Sequence, residues 1–332
     1  MFRVDAIVKV GILIGSRMNN LTFSVFIKQK VAASLFQRAR RRFLRADGPP
    51  RDRSVPGVIP RIVWIYWDKG EDAAPQLVRD CIASWRAENP GWRVCVLDDA
   101  ALRNAVDLPE LPADIPVQAF SDLLRLRLLK QNGGVWADAT AFCLRPLDNW
   151  LPVVSQGGFF AFTWTSKDRW FLWPGLTREI GSWFLASEKE GVLISEWERA
   201  GFDYWTNRQK TDMYFWVHMI FEYLAKTSGS FRKAARAMPK ISCFNAHLIY
   251  DCVERGVHDA EVVAALRAGA APVQKLRWNW DPDQMNLAVR LLQDAGVPVT
   301  ENTGAISAGT ETISARNQGP RTPSRRLPIS QA

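Results

Sequence analysis

Three short stretches of the chain carry residue types that could act together on a charged ligand. Ile59-Pro60-Arg61-Ile62-Val63-Trp64-Ile65-Tyr66-Trp67 runs into a loop containing Gly70. Ser121-Asp122-Leu123-Leu124-Arg125 places a carboxylate and a guanidinium at i, i+3, on one helical face. Gly133-Gly134-Val135-Trp136-Ala137-Asp138-Ala139-Thr140 lets the chain turn tightly into a strand that ends on Asp138. A carboxylate at such a strand end can hold a hard divalent cation beside phosphate oxygens. Each piece alone also has a plain structural reading. An Asp after a strand is usually a turn residue, and an Asp–Arg pair at i, i+3 is usually a surface ion pair. Their order and spacing together favour a site.

The elements that must position these residues follow from periodicity. Arg61–Trp67 is a short apolar run suited to a buried strand. Pro75–Glu88 has helical spacing, with Leu77, Val78, Cys81, Ile82 and Trp85 on one face and Asn89-Pro90-Gly91 as a stop. Trp92–Leu97 is the next strand, and the strand, helix, strand order indicates a parallel βαβ unit. Pro116–Asn132 is the clearest helix, capped by Gly133-Gly134, and Val135–Ala137 is a strand ending in Asp138. Phe159–Thr163 and Ser182–Ala186 read as further strands, and Val192–Thr206 and Thr211–Lys226 as amphipathic helices. Trp67 and Asp138 both fall at strand ends, and open parallel sheets bind ligands beyond the carboxyl ends of their strands.

Composition bounds the alternatives. The 332 residues are 47% hydrophobic and 23% charged, with aromatics at 11%, which excludes a disordered chain. No stretch reaches the ~18 apolar residues of a spanning helix. The apolar run in residues 1–15 is short and broken by Lys9, unlike a secretion signal. Five widely spaced cysteines without a CxxC read as reduced, buried thiols of a cytosolic protein. The net charge of +9 is uneven: residues 28–53 hold nine basic side chains against two acidic ones. The rest is nearly neutral, so a nucleic-acid surface is not expected. The basic arm alternates with Phe23, Phe26, Val31, Leu35 and Phe43, a pattern that fits either peripheral contact with an anionic membrane or an arm packed on the domain. Gly48–Pro60 reads as a linker, and the Ser/Thr/Gly/Pro-rich tail from about residue 300 as disordered.

The ordered set resembles the capsular polysaccharide synthesis proteins and the related sugar transferases that carry a DXD motif. It comprises the IPxIIWxYW-like start, the S-D-x-x-R helix and GGxWxDxT. Further along come Trp183–Ala186, then Tyr214, Phe215 and His218, and finally Val273, Lys275, Leu276 and Trp278. The resemblance runs from Val58 to Trp280, about two-thirds of the chain. It implies an α/β, GT-A-like (Rossmann-like) fold: a mostly parallel sheet flanked by helices, with a helical C-terminal part. It also implies three regions: an arm and linker over 1–57, the transferase domain over 58–285, and a helix end and tail over 286–332.

Roles follow from the resemblance residue by residue. Trp67 matches the aromatic lying against the nucleotide base. Asp122 and Arg125 match the pair that grips the donor sugar, and Gly133 and Gly134 belong to the donor-binding motif. Asp138 matches the first acid of the DXD, bonding the ribose and reaching a metal. His218 falls where such folds offer a late ligand or acceptor-side group, and Trp278 near a segment that closes over the donor. One departure stands out: Thr140 replaces the second acid, a neutral hydroxyl in place of the usual direct metal ligand. A Mn²⁺ or Mg²⁺ ion held by Asp138, Thr140 and His218 is therefore expected without being assured. Lys275 or Arg125 could neutralise the diphosphate in its stead.

Other side chains carry less. Trp164, Trp170 and Trp173 could line an acceptor groove. His247 and His258 read as structural, and nothing selects a catalytic base among Glu179, Glu188 and Asp212. The implied activity is transfer of a sugar from a nucleotide-sugar donor onto a bacterial surface polysaccharide or its lipid-linked precursor, with retention of configuration. It would take place in the cytoplasm or at the inner face of the membrane. The competing readings are a non-catalytic scaffold of the same fold and a membrane or nucleic-acid adaptor acting through the basic arm.

Overall fold

The computed structural model describes residues 57–299, apart from 110, 113, 165–178, 207 and 212 and the side chains of 103–105. The basic arm, the tail, Trp170, Trp173 and Asp212 lie outside the described residues.

A βαβ unit opens the fold. Strand β1 (Ile62–Tyr66) leads through helix α1 (Gln76–Glu88) to β2 (Arg93–Leu97), which pairs with β1 in parallel. Helix α1 buries the expected stripe of Leu77, Val78, Cys81, Ile82 and Trp85. Burying each such large side chain stabilises by ~1.5–3 kcal/mol. The stop at Asn89 is more than local. Its buried amide donates to the Trp85 carbonyl at 3.0 Å and accepts from the Leu147 N–H at 2.7 Å. A short helix, α2 (Asp99–Ala105), and the long α3 (Val117–Asn132) lead to β3 (Gly134–Ala137), on the other side of β1.

From here the sheet departs from expectation. After β4 (Ala141–Cys143) and the short α4 (Leu151–Val154) come β5 (Phe159–Thr163) and β6 (Ile180–Ser187). The order is β2-β1-β3-β6-β5, with β6 antiparallel to both β3 and β5. The sheet is thus mixed, parallel in one half and antiparallel in the other, instead of mostly parallel. Apolar runs such as Phe159–Thr163 and Ile180–Ser187 are buried throughout, so their pattern marks a strand without marking its direction.

Alternation along the strands divides the core. Trp64, Tyr66 and Trp136 face a cluster formed with α3, α5 (Val192–Trp205), α6 (Trp216–Thr227) and α7 (Gly229–Ala237). Val63, Ile65, Val135 and Ala137 face the opposite cluster with α1. A third cluster joins α8 (Leu248–Glu254), α9 (Ala260–Arg267) and α10 (Pro282–Asp294). Between α9 and α10, β7 (Val273–Lys275) returns to pair antiparallel with β4, placing Lys275 opposite Ala141. Among the described residues no helix is long and apolar enough to cross a membrane.

Candidate active site

The carboxyl ends of β1 and β3 open into a cleft of about 920 Å³. Trp67, Asp122, Arg125, Asp138, Thr140, His218, Lys275 and Trp278 all line it. Residues 211 positions apart in the chain are neighbours here: the Trp67 and Trp278 rings meet edge to face at 5.8 Å. Trp67 is held by its backbone N–H, which donates to Leu97 at 3.0 Å, while Trp278 is half-exposed at the mouth. A second hollow of about 1050 Å³ adjoins the cleft through Tyr66, Asp68 and Val117.

Asp138 leaves β3 with its backbone N–H bonded to the Trp183 carbonyl at 2.8 Å. Its Oδ1 accepts from the Trp136 indole at 3.0 Å and lies 3.5 Å from Arg125 Nη2. Its Oδ2 lies 3.5 Å from Lys275 Nζ. The side chain stays 25% exposed, enough to reach a ligand.

Arg125 is built differently. Its Nη1 donates to both the carbonyl and the hydroxyl of Ser182 at 2.8 Å. Its Nε and Nη2 donate to the Ser121 carbonyl and hydroxyl at 3.2 Å, and Nη2 also pairs with Asp122 at 3.2 Å. The guanidinium lies 5.1 Å from the Trp136 ring and its side chain is only 7% exposed. All five of its N–H groups are directed at protein partners. The geometry makes Arg125 the group that holds Asp122 and Asp138 in register, rather than a free grip on a sugar. Sequence spacing paired Arg125 with Asp122; it gave no sign of Ser182, whose oxygens complete the set.

Asp122 is buried, and desolvation pushes its carboxyl up from 3.8 to about 7. Arg125 opposes that rise and Asp138 adds to it. The cleft therefore holds one carboxyl poised near neutrality beside one that is only a quarter exposed.

Gly133 and Gly134 do not line the cleft. They sit at the opposite end of β3, with φ of +68° and +98°. A Cβ on Gly133 would stand 2.8 Å from Pro60 and from the Lys189 nitrogen, and one on Gly134 2.6 Å from the Ile62 carbonyl. Their place in the motif is explained by the turn and the close packing that aim β3, not by donor contact.

The remaining expectations divide. His218 and Trp164 line the cleft. So does His247, read from sequence as structural; its Nδ1 lies 2.9 Å from the Cys243 carbonyl and its ring packs 5.1 Å from Trp164. His258 is on the surface, 2.7 Å from Asp294. Glu179 and Glu188 lie outside the cleft, Glu188 just past the end of β6 that pairs with Gly134. Ser121, the first residue of the S-D-x-x-R motif, lines the cleft too, and Ser182, Lys69, Tyr250 and Arg277 join it without having been singled out as site residues. None of the five cysteines forms a disulfide, and four of them are buried.

The model of the capsular polysaccharide synthesis protein family matches residues 21–289. This chain belongs to that family. The match extends past both ends of the segment on which the resemblance was read, and takes in most of the basic arm. More distant likenesses to this capsular synthesis family member are local. It is 28% identical over 113 residues to the initiation-specific alpha-1,6-mannosyltransferase of Saccharomyces cerevisiae, covering 30% of this chain and 23% of that protein. It is 33% identical over 103 residues to the glycosyltransferase afumC of Aspergillus fumigatus, covering 26% of each. The chain thus spans about a quarter of the length of the curated relatives it matches. Among solved structures, the PaToxG glycosyltransferase matches at a TM-score of 0.34 and 14% identity, covering 82% of this chain and 89% of that one. The apo form of the glycosyltransferase GlyE of Streptococcus pneumoniae matches at a TM-score of 0.37 and 9% identity, covering 74% and 66%.

The residues expected to hold Mn²⁺ or Mg²⁺ fit such an ion poorly. Thr140 does stand beside Asp138, but its hydroxyl accepts from the Lys275 ammonium. Among the described residues no group of three His, Cys, Asp or Glu side chains could hold a metal ion. Between Asp138 and Thr140 a hard divalent ion would find one carboxylate, one neutral hydroxyl and an ammonium already in place.

Proposed function

We propose that this protein is a glycosyltransferase that takes a sugar from a nucleoside diphosphate donor. The acceptor is a bacterial surface polysaccharide, or its lipid-linked precursor, and the sugar keeps its anomeric configuration. The observation that carries the reading is the convergence of Trp67, Asp122, Asp138 and Lys275 on one cleft at the carboxyl ends of β1 and β3. Membership of the capsular synthesis family and the local likeness to a mannosyltransferase support it.

The roles follow from the chemistry of each group. Trp67 and Trp278 offer aromatic surface to the base and to the sugar faces. The Asp138 carboxylate accepts hydrogen bonds from hydroxyls of the ribose or the sugar. Asp122 can accept from, or donate to, a sugar hydroxyl, because its carboxyl titrates near neutrality. Lys275 faces the charge that develops on the departing diphosphate, and stabilising that charge lowers the barrier to sugar release. A retaining transfer needs no dedicated general base. The acceptor then enters past the exposed Tyr214 and Trp278 at the mouth. Action at the inner face of the membrane, with the basic arm on anionic lipid, belongs to the same proposal.

Thermal-shift measurements against UDP-, GDP-, CMP- and TDP-sugars test it. A true donor at a hundred times its Kd should add ~2.7 kcal/mol of stability. Stabilisation by the sugars of one nucleotide supports the reading and names the base. Failure of every nucleotide to stabilise the protein leaves the scaffold reading in its place.

A further inference from the structure

We propose that Lys275 is the resident cation of this cleft, and that the protein binds its nucleoside diphosphate without a divalent ion. The proposal rests on the transferase reading above and specifies how that site meets the phosphate charge.

The argument begins with the small β4–β7 sheet. Its register sets Lys275 opposite Ala141, so the lysine rises beside the residue just before it. The ammonium donates to the Thr140 hydroxyl and stands 3.5 Å from Asp138 Oδ2. It therefore lies between the two residues at the DXD positions. A backbone bond locks the arrangement, Leu276 N–H to the Thr140 carbonyl at 2.9 Å. The lysine is not mobile decoration, since its side chain is only 22% exposed.

Charge explains why residue 140 is Thr. A carboxylate there would add a second negative charge that a divalent ion could balance. With a fixed monovalent cation in place, a neutral hydroxyl is enough to orient it. A divalent ion brought to Asp138 would meet the ammonium a few ångströms away, a like-charge contact that is unfavourable at any reasonable dielectric. The ammonium has three donors. One is used by Thr140 and one faces Asp138. The remaining contact, the Leu276 carbonyl at 3.4 Å, is long enough to be exchanged for a phosphate oxygen. Arg125 cannot take this part, because its donors are directed at Ser121, Ser182 and the two aspartates. Lys69 and Arg277, which also line the cleft, add to a phosphate-friendly field without standing between the motif residues.

Titration calorimetry on the full chain tests the proposal, with UDP and GDP as probes, each in EDTA and again in excess Mn²⁺. The wild type is expected to bind one of them in EDTA, with no gain from Mn²⁺. Lys275→Gln should weaken that binding about tenfold to a hundredfold, and Lys275→Arg should keep most of it. The double variant Thr140→Asp/Lys275→Ala should bind only when Mn²⁺ is present. Circular-dichroism melts establish that each variant is folded. If Lys275→Gln fails to fold, the wild-type response to EDTA and the double variant still decide. Wild-type binding seen only with Mn²⁺ overturns this proposal and leaves the transferase reading standing, as does a folded Lys275→Gln with unchanged affinity. No binding of either nucleotide under any condition overturns both.

Discussion

Strand β3 begins at Gly134 and ends at Ala137, and the residues flanking its two ends obey different demands. At the start, Gly133 and Gly134 leave no room: any Cβ would press on Pro60, on Ile62 or on the backbone at Lys189. At the far end, Asp138 and Thr140 meet two charged side chains, Arg125 from α3 and Lys275 from β7. The first end is selected by shape and the second by charge. One motif, Gly-Gly-x-Trp-x-Asp-x-Thr, therefore does two jobs at opposite edges of the sheet. Only the second is chemical. Treating the motif as one binding element would place the glycines at a cleft that they do not line.

That contrast can be broken from either side, and the largest effect is expected at the charged end. Asp138→Asn keeps the size of the side chain and removes its charge. Donor turnover should fall ~10²–10³-fold, with the melting temperature nearly unchanged. Near-normal turnover by a folded Asp138→Asn protein would show that the chemistry lies elsewhere.

At the packed end the expected effect falls on stability. Gly134→Ala puts a Cβ 2.6 Å from the Ile62 carbonyl at a φ of +98°. Unfolding free energy in urea should drop by ~2–4 kcal/mol, with turnover per folded molecule little altered. A variant as stable as the wild type but catalytically dead would reverse the roles of the two ends.

A smaller effect sharpens the electrostatics between them. Asp122 has its native carboxyl raised to about 7, so between about pH 4 and 7 the folded state holds a proton that the unfolded state has lost. Stability from this group is therefore present at low pH and declines as pH rises through that window. Asp122→Asn should flatten the slope of stability against pH by roughly 1–3 kcal/mol over that range. Parallel slopes for the two proteins would mean that Asp122 is ionised throughout.

Much of this could be read in the linear chain, for identifiable reasons. The faces of α1 and α3 follow from helical spacing, and β1, β2, β3 and β5 from apolar runs, within a residue or two at their ends. The pairing of Asp122 with Arg125 follows from i, i+3 geometry. The direction of β6 does not, because a strand buried on both sides has the same pattern either way. Strands β4 and β7, three residues each, are too short to show a period, yet their pairing is what brings Lys275 to Thr140. The Ser182 contacts to Arg125 cross 57 positions and leave no local trace. What spacing can encode lies within one element; what it cannot encode is the closure between elements, and the cleft is mostly closure.

The β4–β7 pairing also bears on when the site comes into being. Lys275 is made 135 residues after the Thr140 to which it donates. As the chain leaves the ribosome, β1 to β6 can assemble around α3, with Arg125 already gathering Asp122 and Asp138. The nascent cleft then holds its carboxylates without the ammonium that completes it. Competence for anionic ligands arrives late in synthesis, once β7 has emerged and closed that long-range pairing. On the proposed reading, an incomplete chain stalled before that point would hold its sheet and its carboxylates yet lack the cation meant for the diphosphate.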